Sequence, residues 1–176
     1  MDIRIVTEDF QDMELLDALN REAFPEEERV ETRDLIAYSL AAGREFLAFY
    51  DGETFIGFAV IMLSDQMIYM SFFAVEQRLR SQGYGSRILT AISQRYPKRS
   101  FCLEVERLDE PSENMAERRA RRAFYAKNGF EETDYRLEYG DLSFDILSKG
   151  TFVKEAYDAL LSSIASFEFS IKSIRK

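Results

Sequence analysis

Apolar positions along the chain follow two rhythms, alternation for strands and a three-to-four spacing for helices. Ile3-Arg4-Ile5-Val6 alternates and predicts a first strand. Phe10, Met13, Leu16 and Leu19 have helical spacing over residues 10–22. Phe24-Pro25 stops that helix, because the residue before a proline is pushed out of the helical region. Glu26-Glu27-Glu28-Arg29 reads as a polar loop or a helix start. Leu35, Ile36, Leu40 and Ala41 predict a second helix over 31–42, ended by Gly43. Glu45 to Tyr50 and Thr54 to Leu63, joined by Asp51-Gly52, predict a β-hairpin.

A strand over 66–75 leads into a glycine-bearing turn and then a helix over 84–95, stopped near Pro97. Phe101 to Val105 predicts another strand, and Arg107 to Asn114 a polar, acidic loop. A helix over 113–128 follows, with Ser112 as its cap and Asn128-Gly129 as its stop. Phe130 to Tyr139 and Leu142 to Leu147 predict a second hairpin across Gly140-Asp141. Phe152, Ala156, Tyr157, Leu160, Leu161 and Ile164 predict a helix over 151–165, after which Phe167, Phe169 and Ile171 alternate as a last short strand. The order implies an α/β (α+β) fold: a mixed central β-sheet with helices on both faces, plus a C-terminal helix and an extra short strand.

Composition narrows the chemistry. A chain of 176 residues, 46% apolar and 31% charged, suits one soluble domain with a sizeable core. The longest apolar run, Phe55 to Leu63, is too short to span a bilayer, and Asp2, Arg4, Glu8, Asp9 and Asp12 leave no secretory apolar region. The expected location is cytoplasmic, with no membrane partner. The absence of histidine removes Ser-His-Asp and Cys-His catalysis and histidine-bound metals. The single cysteine, Cys102, sits in an apolar strand and reads as a small core residue. No metal is expected.

Net charge is −9, unevenly spread. Residues 78–127 hold 12 Lys/Arg and 6 Asp/Glu, a local +6, while the remainder holds 11 and 26, a local −15. The basic island suits an anionic, phosphate-bearing ligand, or is a solvated helix face. The acidic remainder argues against nucleic acid and favours a cationic substrate.

Chemistry concentrates at two places in the island. Arg80-Ser81-Gln82-Gly83-Tyr84-Gly85-Ser86 joins the strand Met67 to Val75 to a helix. Its two glycines permit a sharp turn and close approach of a ligand, and the first helical N–H groups point outward for an anion. A tight turn that binds nothing is the plain alternative. The dinucleotide fingerprint lacks its third glycine, at Ile88, and no Gly-Lys-Ser/Thr exists. The second place is the helix where Arg118, Arg121, Arg122 and Tyr125 share a face. That face reads as a solvated cationic stripe, or as a cationic surround that lowers the Tyr125 phenol pKa.

The segment Val75 to Ser86 resembles the acetyl-CoA-binding signature of the GNAT acetyltransferases, with Arg80, Gly83 and Gly85 at its defining positions. Ala123 to Phe130 looks like the later motif of that family, a helix ending in Tyr-x-x-x-Gly-Phe. The order of elements also matches over residues 1–148. The resemblance implies a GNAT-like acetyl-CoA-binding domain over 1–150, with 151–176 packed on it as a C-terminal extension. That extension reads as a structural cap, a substrate wall or a dimer surface, the last making a homodimer.

The resemblance further implies acetyl-CoA as cosubstrate. Its pyrophosphate would lie on the N–H groups of Gln82, Gly83, Tyr84, Gly85 and Ser86, beside Ser81, with Arg78 and Arg80 adding side-chain contacts. Its pantetheine arm would pair with the strand backbone at Phe73, Ala74 and Val75, and Arg118 and Arg122 would face the cofactor. Tyr125 matches the acid that protonates the leaving thiolate. Many relatives carry Asn where this chain has Arg118.

For a base, Glu104 and Glu106 share a strand face with Cys102. Glu104, the deeper of the two, either accepts an ammonium proton or pairs with Arg118 or Arg122 to order the site; water is a further route. The expected activity is acetyl transfer to a primary amine by direct attack in a ternary complex. The alternative is a non-catalytic acyl-CoA-binding sensor or assembly module. Segments 24–34 and 107–114 are expected to shape a small-molecule or peptide amine site for a polyamine, an aminoglycoside, a lysine or a protein N-terminus.

Overall fold

The Asp51-Gly52 turn sits where the sequence puts it. β2 (Arg44–Asp51) and β3 (Thr54–Leu63) pair antiparallel across it in the computed structural model. The structure describes residues 1–26, 29–109, 111–164 and 170–174. Glu27, Glu28, Phe167 and Phe169 therefore lie outside the described residues. Before the hairpin come β1 (Asp2–Ile5), α1 (Met13–Ala23) and α2 (Thr32–Ser39). After it come β4 (Met67–Val75), a 3₁₀ turn (Gln77–Leu79), α3 (Tyr84–Arg95), β5 (Ser100–Glu106) and α4 (Met115–Lys127). The chain continues through β6 (Glu131–Tyr139), β7 (Leu142–Lys149), α5 (Lys154–Ser162) and β8 (Ser170–Ser173).

Among the described residues the strands form a mixed eight-stranded sheet in the order β1-β2-β3-β4-β5-β7-β6-β8. β4 and β5 run parallel, registered Met67↔Ser100, Ile68↔Phe101 and Tyr69↔Cys102, while β1–β2, β2–β3, β5–β7, β6–β7 and β6–β8 pair antiparallel. Two compact units share the chain: Met1–Leu63 with Met70–Pro97, and Ser64–Tyr69 with Lys98–Lys176.

In the first unit, Leu16 and Leu19 of α1 and Leu35 and Ile36 of α2 bury against Phe46, Phe58 and Val60. Each such side chain contributes about 1.5–3 kcal/mol of apolar burial. The β2–β3 ladder slips at Phe49/Tyr50: Phe49 faces Gly57 and Tyr50 faces Phe55, leaving Ile56 as the extra residue of a bulge. The Ile56 carbonyl accepts the Glu76 N–H at 2.9 Å. Gly57 has to be glycine for space: a Cβ there would lie 2.2 Å from the Ala74 carbonyl oxygen and 3.0 Å from Val75 Cα.

In the second unit, Phe101, Leu103 and Val105 of β5 and Ile146 and Leu147 of β7 are buried. Phe130 packs edge-on against Phe101, with ring centroids 5.2 Å apart. Cys102 is buried as expected, with Sγ 3.2 Å from Met67 Sδ, and burial pushes its thiol pKa well up.

Several boundaries differ from the sequence reading, among them those of α5, which spans Lys154–Ser162 rather than 151–165. α1 begins at Met13, after Asp12, rather than at residue 10. α2 ends at Ser39, where the Leu40 N–H already bonds back to the Ala37 carbonyl in a tightened last turn. Ser112 does not cap α4: the helix starts at Met115 after Asn114, and the Ser112 hydroxyl donates to Asn114 Oδ1 at 2.6 Å. Among the described residues no helix is long and apolar enough to cross a membrane.

Candidate active site

In the first unit, β4 delivers the chain into the 3₁₀ turn and then the head of α3. Gly83 caps that helix at φ +86°, and a Cβ built there meets nothing within 4 Å. Ser81 also has a positive φ, 62°, unusual for a residue with a side chain. The first intrahelical bond runs from the Arg87 N–H to the Gly83 carbonyl, at 3.1 Å. The N–H groups of Tyr84, Gly85 and Ser86 come before it, at the positive end of the helix dipole. A left-handed turn, open space and N–H donors ahead of the first intrahelical bond are the features an anion can use. The group implied by the sequence motif fits them.

The side chains of the loop brace its backbone. Arg80 Nε donates to the Val75 carbonyl at 2.9 Å, and Arg80 Nη2 pairs with Glu22 at 2.8 Å. The Gln82 amide donates to the Arg78 carbonyl at 2.7 Å. Arg78 lies 3.6 Å from Glu76. The Tyr84 hydroxyl and Arg87 both donate to Asp51 Oδ2, at 3.1 and 2.8 Å, tying the head of α3 to the β2–β3 turn. Glu22 and Asp51 carry no local signal of this role, because both partners are distant in sequence. The same unit holds a cavity of about 390 Å³, lined by Glu8, Asp17 of α1, and Glu31, Thr32, Arg33 and Ile36 around α2.

In the second unit, α4 presents Tyr125, 7% exposed, beside Phe124 and Phe130 with centroids 5.2 and 5.6 Å away. The helix stops directly behind it. Gly129 N–H bonds to the Ala126 carbonyl at 3.0 Å, and Phe130 N–H to the Tyr125 carbonyl at 3.1 Å, the paired bonds of a Schellman end. Among the described residues the Tyr125 hydroxyl has no hydrogen-bond partner.

Burial pushes the Tyr125 phenol far above its usual range; Arg121 opposes this and Glu106 adds to it. The expected lowering is thus reversed. The three arginines of its face are committed elsewhere: Arg118 to Asn114 Oδ1 and the Arg107 carbonyl, Arg121 to Glu106, and Arg122 to Asp145, Glu132 and the Glu106 carbonyl. Neither Arg118 nor Arg122 pairs with Glu104.

Glu104 has phenols for neighbours instead. The Tyr157 hydroxyl donates to Glu104 Oε1. Against the cost of burial, a hydrogen bond to Tyr69 and a backbone hydrogen bond favour the charged form. The residue keeps some accessible surface, but its carboxyl lies deep among protein atoms. Burial wins, raising its pKa to about 8, a value that suits a proton acceptor near neutral pH. Glu106 goes the other way: burial works against its charge, yet the Arg121 guanidinium holds its carboxyl below the usual range. Tyr157 was legible only as one apolar position in a helix.

The mixed sheet thus carries a glycine-headed helix after β4 and a buried tyrosine on the next helix. The family model of the GNAT acetyltransferase domain matches residues 42–132, more than half of the chain, and the chain belongs to that family. Three solved structures illustrate the likeness. A GNAT-family protein from Bacteroides thetaiotaomicron is 28% identical, covering 90% of this chain and 93% of its own, with a TM-score of 0.73. An aminoglycoside 6'-N-acetyltransferase complexed with coenzyme A shares the fold at 18% identity, covering 85% and 96%, with a TM-score of 0.66. Arabidopsis thaliana Naa50, in complex with a bisubstrate analogue of CoA and a peptide, does so at 20% identity, covering 85% and 98%, with a TM-score of 0.58. No curated protein matches the chain.

Proposed function

We propose that this chain is an acetyl-CoA-dependent N-acetyltransferase that moves the acetyl group to a primary amine by direct attack. The observation that carries the reading is Gly83 at φ +86°, facing open space at the head of α3. When bound, the cosubstrate supplies an acetyl thioester. Backbone N–H groups from Gln82 to Ser86 hold the pyrophosphate, Arg80 keeps the loop closed on Val75, and the backbone of Phe73, Ala74 and Val75 aligns the arm. Tyr125 Oη holds the proton that leaves with the sulfur; its raised pKa keeps the phenol protonated as a donor across the working pH range, and the nearby Arg121 charge eases the loss of that proton as the sulfur departs. Glu104 accepts the proton of the acceptor ammonium. Arg118 and Arg122 serve by fixing α4.

The acceptor is read as a cationic amine. The −15 carried outside residues 78–127 favours positive charge, as does the lining of the α1–α2 cavity, where Glu8, Asp17 and Glu31 outnumber Arg33 and the Arg29 that pairs with Glu31. This mirrors what two fold neighbours act on or hold by their descriptions, an aminoglycoside in one and a peptide in the other.

Calorimetry with acetyl-CoA on the wild type and on Gly83→Arg tests the reading. Binding to the wild type and its loss in a variant that keeps its circular dichroism are expected. Thiol release with a panel of polyamines, aminoglycosides and peptides then identifies the acceptor. A wild type that binds no acetyl-CoA would sink the proposal; binding without turnover of any amine would favour a non-catalytic sensor.

A further inference from the structure

We propose that Tyr157, on helix α5, is a positioning residue for Glu104: its hydroxyl holds that carboxyl and sets the pH at which it gives up its proton. The inference rests on the reading of Glu104 as the proton acceptor, and it places a working part of the site outside residues 42–132, the span the family model matches.

Tyr157 is 0% exposed, and its hydroxyl donates to Glu104 Oε1. Its ring is fixed on two sides. Tyr69 meets it edge-on at 90°, with centroids 5.6 Å apart, and Phe152 packs at 5.3 Å. A phenol locked this way loses little freedom in making the bond, so the carboxyl is held where the ring places it. Tyr69 adds the second hydrogen bond from β4.

The other titratable groups near Glu104 do not take over this task. Cys102 on the same strand face is a thiol held neutral by burial. Glu106, two residues on, is paired with Arg121 of α4. Across the β5–β7 ladder the partner is Ile146, which carries no charge. On α5 itself, Lys154 and Asp158 pair with each other at 2.5 Å. The side-chain donors to the Glu104 carboxylate are thus two hydroxyls, beside a backbone hydrogen bond, and α5 supplies one of the hydroxyls. In the protonated form Glu104 Oε has its own hydrogen, so the Tyr157 bond favours loss of the proton.

The test is to titrate the Glu104 carboxyl by carbon NMR in the full chain with labelled glutamate, the signal being assigned by its loss in Glu104→Gln. Tyr157→Phe keeps the ring and removes the donor, and it is expected to raise the Glu104 midpoint by about one unit. Replacing Tyr157 with 3-fluorotyrosine strengthens the donor and is expected to lower it. No movement in either variant overturns the proposal. If Tyr157→Phe does not melt cooperatively, the fluorotyrosine arm decides alone, and an unmoved midpoint there overturns it. The acidic limb of kcat/KM against pH separates the two claims. A limb that follows the midpoint upholds both, while a midpoint that moves under a fixed limb upholds the hold of Tyr157 and removes Glu104 as the base.

Discussion

Asp145 grips two arginines from different elements. Its Oδ2 takes Arg122 Nη2 of α4 at 2.7 Å, and its Oδ1 takes Arg136 Nε of β6 at 2.8 Å. With Asp145 12% exposed and Arg122 15% exposed, this is a largely desolvated cluster that pins the helix carrying Tyr125 onto the β6–β7 hairpin. Removing its one shared anion leaves two guanidiniums facing each other. Asp145→Ala is expected to cost about 3 kcal/mol, read as a fall in the denaturant midpoint. A change within about 0.5 kcal/mol would show that the cluster holds nothing together.

Tyr125→Phe keeps the ring contacts to Phe124 and Phe130 and removes the proposed proton donor. It is expected to lower kcat by roughly 10²–10⁴-fold with acetyl-CoA affinity unchanged. Thiol-release kinetics beside calorimetry check this; a variant with wild-type kcat would take the acid role from Tyr125.

The stability of the fold should fall as pH rises. The folded-state pKa of Glu104, about 8, stands above its ordinary 4.5, so the folded chain binds this proton more tightly than the unfolded chain does. The stabilisation is full below about 4.5 and is lost progressively toward 8. Denaturant midpoints from pH 5 to 9 should decline, and Glu104→Gln should flatten that decline. An equal slope in both proteins would contradict it. The pH range in which the proposed base becomes active is thus the range in which it weakens the fold.

Gly57→Ala puts a methyl 2.2 Å from the Ala74 carbonyl oxygen, and backbone cannot swing aside as a flexible side chain does. About 1–3 kcal/mol of destabilisation is expected. Acetyl-CoA binding should weaken too, since the displaced residues, Ala74 and Val75, are those proposed to align its arm. A thermal melt and a binding isotherm on the same sample decide it; an unchanged pair of results would mean the two strands are not held so closely.

What the sequence shows and hides follows from distance along the chain. The Asp51-Gly52 turn and the Tyr84–Arg95 helix were legible with their limits, because each is dictated by residues within a few positions of itself. The start of α4 was misplaced by a local contest. Asn114 Oδ1 accepts from both the Ser112 hydroxyl and Arg118 Nε, so the polar side chains satisfy one another rather than the helix N–H groups. The surroundings of Glu104 were hidden for the opposite reason: Tyr69 and Tyr157 lie 35 and 53 positions away, and nothing in either segment announces the other. The raised pKa of the Tyr125 phenol is hidden because its arginine neighbours are visible in the spacing, whereas its burial and the carboxylates that occupy those arginines are not.

The end of α4 makes the spacing of the Tyr-x-x-x-Gly-Phe motif a ruler. Tyr125 supplies the carbonyl that closes the helix on Phe130, and the two rings then lie against each other. One residue thus marks both the proposed proton donor and the stopping point of its helix. Adding or deleting a single position between Tyr125 and Phe130 would rotate one relative to the other, so chains of this design can change the three residues after the tyrosine but neither the glycine, held here at φ +85°, nor the length of the interval.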